Sequence, residues 1–108
     1  MSYRLGNLAQ ADSRREGRDE VHYRARGFGP DARSHHLLVV NISPHGLMAR
    51  CETDFAIGDR LRIQLPVVGA VGASVRWSLG GRLGGQFDSV IDLASYYELL
   101  AVLIGKPK

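Results

Sequence analysis

The 108-residue sequence has a single cysteine and no apolar stretch long enough to cross a membrane. Because Cys51 cannot form an intramolecular disulfide and has no recognisable base partner, it is expected to be a small core residue in a reducing compartment. Residues 1–13 lack the continuous apolar segment of a signal peptide, so the expected location is cytoplasmic. A chain of this length can bury a core and fold as one domain without disulfides or metal.

Catalytic and metal-binding arrangements are also missing from the sequence. No nucleophile, base and orienting group fall into a recognisable pattern, so we do not expect an enzyme. His35 and His36 are adjacent and would face opposite ways on a strand, while His22 and His45 add no ligand spacing. We therefore expect no metal and no cofactor. The GGRLGG run at 80–85 lacks the Lys-Ser/Thr pair and the following helix of a phosphate loop.

Lysine is scarce, although the chain is basic, with a net charge of +3 and a pI of about 9.4. Of 14 basic residues, 12 are arginine, and only Lys106 and Lys108 are lysine. Arginine grips phosphate with a planar fork and stacks on bases. High genomic GC content enriches arginine without any function, so the position of particular arginines has to decide between the two explanations.

The sequence does contain a pattern of short strands separated by Gly and Pro turns. Alternating apolar and polar residues predict strands at 21–26 and, most clearly, at 61–65. Further strands are predicted at 35–43, 46–51 and 67–79, and around Phe87. Gly69 and Gly72 indicate a bend or bulge in the long fifth strand. Strands without interleaved helices favour an antiparallel barrel or sandwich.

The last segment changes to a helical period. Asp92 is a candidate N-cap, and Gly105 and Pro107 stop the helix, which predicts a helix over about 92–105. One face is expected to pack against the barrel, and any exposed part of it would be a partner surface. The residues assigned to that face are Leu93, Tyr96, Tyr97, Leu100, Ala101 and Ile104.

Two short motifs flank the first predicted hairpin. The stretch RREGR holds Arg14 and Arg18 in an R-x-x-x-R spacing just before the first strand. The stretch NISPHG holds Asn41, Ser43 and Gly46 in a [D/N]-x-S-x-x-G spacing at the end of the second. In this order they resemble the motifs of the PilZ domain family. The resemblance continues through G-D-x-L-x-I-x-L-P at 58–66, VRW at 75–77 and GGQF at 84–87.

The resemblance implies a mainly all-β domain, a six-stranded antiparallel barrel with a C-terminal helix, that binds cyclic di-GMP. This domain would span 13–108, behind a flexible arm at 1–12. In the family the two motif arginines, here Arg14 and Arg18, hold phosphates and guanine. Arg15 lies outside the motif and is a candidate additional contact.

The second motif supplies groups that suit a guanine edge. Asn41 both donates and accepts hydrogen bonds, and Ser43 shares its face of the strand. Gly46 fits a positive φ or the close approach of a ligand. Many family members have Asp where Asn41 stands, so a carboxylate that could accept two guanine hydrogen bonds is absent and a lower affinity is expected. Ser13 lies where the family varies the number of bound ligands.

Each motif also has a simpler explanation. RREGR could be a solvated charged linker whose arginines pair with neighbouring acidic residues, and NISPHG could be an Asx or Ser turn that closes a hairpin. Trp77 is expected in the core, with stacking on a guanine at the rim of the site as the alternative.

The sequence therefore favours a bacterial second-messenger receptor in which cyclic di-GMP orders the 13–18 segment and regulates a downstream protein partner. Motility and biofilm formation are the processes that the family implies. One alternative is a PilZ-type adaptor that acts through protein contacts without nucleotide. The other is a small basic barrel binding single-stranded nucleic acid, which the 7% aromatic content makes a poor stacking platform. We expect neither membrane insertion nor a specific nucleic acid.

Overall fold

The computed structural model describes residues 18–105 and consists there of six strands followed by one helix. The elements are β1 (Asp19–Phe28), β2 (Ser34–Ser43), β3 (Gly46–Arg50), β4 (Arg60–Leu65), β5 (Gly69–Leu79), β6 (Arg82–Phe87) and α1 (Leu93–Ile104). The strands form a closed barrel in the order β1-β2-β3-β6-β5-β4, and every neighbouring pair is antiparallel. The six-stranded barrel and its C-terminal helix are confirmed.

Closure of the barrel divides its outer surface into two halves. Strand β4 pairs back to β1, so β4, β1 and β2 are consecutive around the wall. Strands β3, β6 and β5 are likewise consecutive and complete the circle. Side chains on the outer faces of these two groups therefore point to opposite sides of the molecule.

The inner faces of the strands form the core, as the alternating pattern predicts. On β4, the apolar residues at 61, 63 and 65 are buried, whereas the polar residues between them are exposed. Cys51 is 8% exposed and belongs to this core, which confirms its assignment as a small core residue. The side chains with less than 2% exposure are Leu37, Ile42, Ile63, Leu83, Leu99, Val39 and Val75.

Register shifts interrupt three of the ladders among residues 18–105, one of them between Glu20 and Tyr23 of β1. The other two break the alternation of buried and exposed residues. Between β2 and β3, Val39 opposes Ala49 and Asn41 opposes Met48, which leaves Val40 as an extra residue in β2. Between β5 and β6 the register shifts from Val75 to Trp77, which leaves an extra residue at 76 in β5. The prediction of a bulge at Gly69 or Gly72 was wrong, because the register with β4 is regular at both glycines.

Helix α1 docks through a face that overlaps the predicted one at Tyr96 and Leu100 and is otherwise different. Its buried residues are Tyr96, Leu99 and Leu103, whereas Leu93, Tyr97 and Ile104 are more than half exposed. Three and four residues apart, the buried residues form a regular helical stripe. The apolar stripe read from the sequence is real but lies largely on the outside, because this short helix is apolar around most of its circumference. No helix in 18–105 has the length and apolarity to cross a membrane.

Polar contacts fix both the start of α1 and its position. Asp92 is the N-cap, and its Oδ2 accepts from the Ser95 backbone amide at 3.1 Å. Hydrogen bonding to Ser95, through its side chain first and then its backbone, lowers the pKa of Asp92. Further along, the Tyr96 hydroxyl donates to Asp19 Oδ2 at 2.5 Å and lies 3.0 Å from the Ile42 carbonyl oxygen. The helix is thereby attached to the start of β1 and the end of β2.

Candidate functional site

The residue just before β1 reaches across to the end of β2. Arg18 Nη1 donates a hydrogen bond to Asn41 Oδ1 at 2.5 Å. The pairing of Glu20 with Asn41 in the β1–β2 ladder brings the two segments together. The last arginine of the R-x-x-x-R motif and the first residue of the second motif are therefore in contact. Arg14 and Arg15 lie outside the described residues.

The bulge at Val40 decides where the second motif points. Strict alternation from the buried Val39 would turn Asn41 into the core and leave Ile42 outside. The extra residue reverses this order, so Ile42 is fully buried while Asn41 and Ser43 are half-buried on the outer surface. A bulge commonly re-aims side chains beside a functional site in this way.

Ser43 has a local role as well as a place on this surface. Its Oγ accepts a hydrogen bond from the His45 backbone amide at 3.1 Å, which is the Ser turn of the simpler explanation. A hydroxyl that accepts one bond can still donate its own proton. Ser43 is therefore able to close the turn and to donate to a neighbouring group at the same time.

Gly46 is required by the packing of the strands. It does not have a positive φ, so that part of the sequence-based explanation was wrong. A Cβ at this position would overlap the Gly85 carbonyl oxygen on β6. The close approach that calls for glycine is thus made by the protein's own backbone.

An open cleft of about 330 Å³ lies on the outer face of β3, β6 and β5, next to the Arg18–Asn41 contact. Its lining residues are Arg18, Ser43, His45, Gly46, Leu47, Arg76, Trp77, Gly84, Gly85 and Gln86. Asn41 is not one of the lining residues, and it is connected to the cleft through its hydrogen bond from Arg18. Three polar lining residues were missed from the sequence, namely His45, Arg76 and Gln86. They lie within the sequence motifs that resemble the family, but the register of the strands decides which way their side chains point.

Trp77 forms one wall of the cleft, and its expected place in the core was wrong. The residue is 39% exposed, because the bulge at Arg76 reverses the alternation that buries Val75. Its indole lies against Gly84, where a Cβ would overlap the ring nitrogen. Because Gly84 has no side chain, the indole ring can lie flat against the strand and present an aromatic surface at the rim of the cleft.

The polar groups of the cleft favour an anionic ligand. It is lined by two arginines and by no aspartate or glutamate. Arg76 Nη1 donates to Gln86 Oε1 at 2.8 Å, which holds its guanidinium beside the cleft. Guanidinium forks, a hydroxyl and an exposed indole together suit a molecule that carries both phosphate and a planar ring.

A larger cleft, of about 510 Å³, lies elsewhere and contains none of the predicted site residues. Its arginine Arg60 is occupied, since it donates to Asp88 Oδ2 at 2.5 Å and to Ser74 Oγ at 2.9 Å. The hydrogen bond to Asp88 raises the pKa of Arg60. We therefore place the candidate site in the smaller cleft. Within 18–105, no group of three or more His, Cys, Asp or Glu is arranged to hold a metal.

The fold and the cleft together define a small closed β-barrel with a ligand-sized site on its outer wall. The family pattern of the PilZ domain matches residues 12–105, nearly the whole chain. The protein belongs to the PilZ domain family, whose members are binding and adaptor domains. No curated protein is similar enough to count as a relative.

Proposed function

We propose that this protein is a receptor for cyclic di-GMP and that nucleotide binding regulates a downstream protein partner. The observation that carries the proposal is the hydrogen bond of 2.5 Å between Arg18 and Asn41, which brings the two motifs together beside an arginine-lined cleft. Membership of the PilZ family supports the same ligand.

The chemistry of the ligand matches the groups around the cleft. Cyclic di-GMP carries two anionic phosphates and two guanines. Arg14 and Arg18 would bind a phosphate or the O6/N7 edge of a guanine through their guanidinium forks. Asn41 and Ser43 offer donors and acceptors to the other guanine edges, and Trp77 offers a face for stacking.

Binding would also exchange contacts within the protein. Arg18 donates through Nη1 to Asn41 Oδ1, so a nucleotide that engages these two atoms would replace the bond between them. Asp19, the next residue, accepts from Tyr96 of α1. A displacement of Arg18 would therefore act on the segment that anchors the helix, which gives a route from the nucleotide to a partner.

Calorimetric titration with cyclic di-GMP tests the proposal, and Trp77 gives a second readout. Because the chain has one tryptophan, a change in its fluorescence on titration reports on the cleft directly. Arg18→Ala removes a charged fork and is expected to weaken binding by roughly 1–3 kcal/mol, about fivefold to 150-fold. Arg14→Ala should also weaken binding.

The matched control is Arg33→Ala, which removes the same charge from the β1–β2 turn. Arg33 is exposed and does not line the cleft, so its loss should leave the dissociation constant nearly unchanged. If high micromolar nucleotide produces no heat and no fluorescence change, the receptor function is overturned.

A further inference from the structure

A second surface, on the other half of the barrel, is strongly basic. It is formed by the outer faces of β4, β1 and β2, and we call it the basic face. Its arginines are Arg24, Arg26 and Arg62, and His36 lies beside them; all four residues are exposed. In the ladders, Arg26 lies opposite His36 on one side and Gln64 on the other, and Arg62 lies opposite Phe28. The three arginines and His36 thus occupy neighbouring positions on three consecutive strands.

The middle of the basic face carries no acidic residue of its own strands, since the segments 21–28, 34–43 and 60–65 contain no Asp or Glu. The acidic residues of β1, Asp19 and Glu20, lie at the start of the strand. Glu52, in the loop after β3, lines a cleft together with Arg24 and His36. Among the described residues, neither of the salt bridges involves Arg24, Arg26 or Arg62.

Three nearby carboxylates are engaged elsewhere. Asp31, in the β1–β2 turn, accepts from the Arg33 amide at 3.0 Å and lies 3.2 Å from His35 Nε2. Asp88 holds Arg60, and Asp19 accepts from Tyr96. Among the described residues, the three arginines thus outnumber the nearby carboxylates of Glu20 and Glu52, which leaves the basic face with a net positive charge that an external partner can neutralise.

We propose that the basic face docks an acidic segment of a partner protein in extended conformation. Arg24 and Arg26 project from the same side of β1, about 6.7 Å apart along the strand. An extended chain with Asp or Glu at alternate positions repeats its carboxylates at the same distance. Arginine forks bind carboxylates in a bidentate manner, so the match is one of spacing as well as charge.

The other side chains of this surface favour a protein over a nucleic acid. Leu38 and Val40 of β2 are half-buried among the arginines and offer apolar contact to alternate side chains of a peptide. Single-stranded nucleic acid is held mainly by stacking on exposed aromatic rings. The single tryptophan lies in the cleft instead, and Phe28, at the end of β1, is only half-exposed.

The basic face and the candidate nucleotide site use different residues. Most of the cleft lies on β3, β6 and β5, which face away from the arginines of β4 and β1 in the closed barrel, and the two surfaces adjoin only near the end of β2. The inference therefore goes beyond nucleotide binding, and its test can be run without cyclic di-GMP, so that either function can fail alone.

The test measures fluorescence anisotropy of a labelled peptide of alternating glutamate and serine, and of an oligothymidylate with the same number of negative charges. We expect the peptide to bind and the oligonucleotide to bind more weakly. Arg24→Gln/Arg26→Gln should weaken peptide binding about tenfold, as the loss of two surface charge contacts predicts.

The matched control is Arg33→Gln/Arg82→Gln, which removes the same net charge from the β1–β2 turn and from β6, outside the outer faces of β4, β1 and β2. It should change peptide affinity less than about threefold. Equal weakening by both double variants, no peptide binding at all, or tighter binding of the oligonucleotide would overturn the proposal. Thermal unfolding of each variant verifies that all of them are folded.

Discussion

At the scale of single residues, the candidate site is built from side chains that bulges turn outward. Asn41 and Ser43 face the surface because Val40 is an extra residue in β2, and Trp77 faces the cleft because Arg76 is an extra residue in β5. A shift of one residue moves a side chain to the other face of a strand. Both irregularities therefore act on the same patch of the barrel wall.

Asn41 is the residue whose substitution tests guanine recognition most directly. Asn41→Asp restores the carboxylate that many family members carry, and charge-assisted hydrogen bonds are stronger than neutral ones. We expect it to tighten cyclic di-GMP binding by about 1 kcal/mol, roughly fivefold. Asn41→Ala should weaken binding. Calorimetric titration of both variants measures the two effects, and weaker binding by Asn41→Asp than by the natural chain would contradict this role.

At the scale of elements, α1 depends on one buried hydroxyl. Tyr96 is 2% exposed, and its hydroxyl contacts Asp19 and the Ile42 carbonyl. Burial, followed by the hydrogen bond to Asp19, raises the pKa of Tyr96 above its ordinary value of 10.0. The neutral hydroxyl is thus the form that the folded barrel stabilises.

Tyr96→Phe should lower the free energy of unfolding by about 1–2 kcal/mol, because the partners of the lost hydroxyl stay behind. The contact also predicts a pH dependence. Since the pKa is raised in the folded state, the stabilisation is complete below the unfolded value of 10.0 and is lost as the pH rises above it. Denaturant unfolding from pH 7 to 11 should show this loss in the natural chain and less of it in Tyr96→Phe.

Tyr97→Phe is the control for the helix. Its ring is 62% exposed, and its hydroxyl makes no hydrogen bond with the described residues. We expect its unfolding free energy to stay within about 0.5 kcal/mol of the natural value. Equal destabilisation by the two variants would show that α1 does not depend on the Tyr96–Asp19 contact.

At the scale of the whole molecule, barrel closure turns most of the cleft away from the arginines of the basic face, and the two surfaces adjoin only near the end of β2. A partner on the basic face would leave the cleft open to nucleotide. Surface charges separated by more than about 8 Å are largely screened at physiological salt. The direct electrostatic influence of one site on the other should therefore be small.

We accordingly expect the two binding events to respond to different variants. Arg24→Gln/Arg26→Gln should leave the dissociation constant for cyclic di-GMP within about threefold of the natural value, and Arg18→Ala should do the same for the acidic peptide. Titrating each variant with each ligand gives the four constants required. A large loss of nucleotide affinity in the basic-face variant would show that the two surfaces are not independent.

The sequence by itself determined the strands, the barrel and the position of both motifs along the chain. Alternation fixed the inward residues of β4, and the motif order placed Arg18 before β1 and Asn41 near the end of β2. These features are local, since they follow from propensity, turn residues and period.

Only the tertiary structure decided which way several key side chains point. The sequence pattern predicted that Trp77 is buried and identified only part of the face of α1 that packs on the core. It did not predict a basic face. Bulges arise from the register between strands distant in sequence, and the docked face of a helix is chosen by the surface that receives it. Both features depend on contacts with residues far along the chain, so the local periodicity of the sequence cannot predict them.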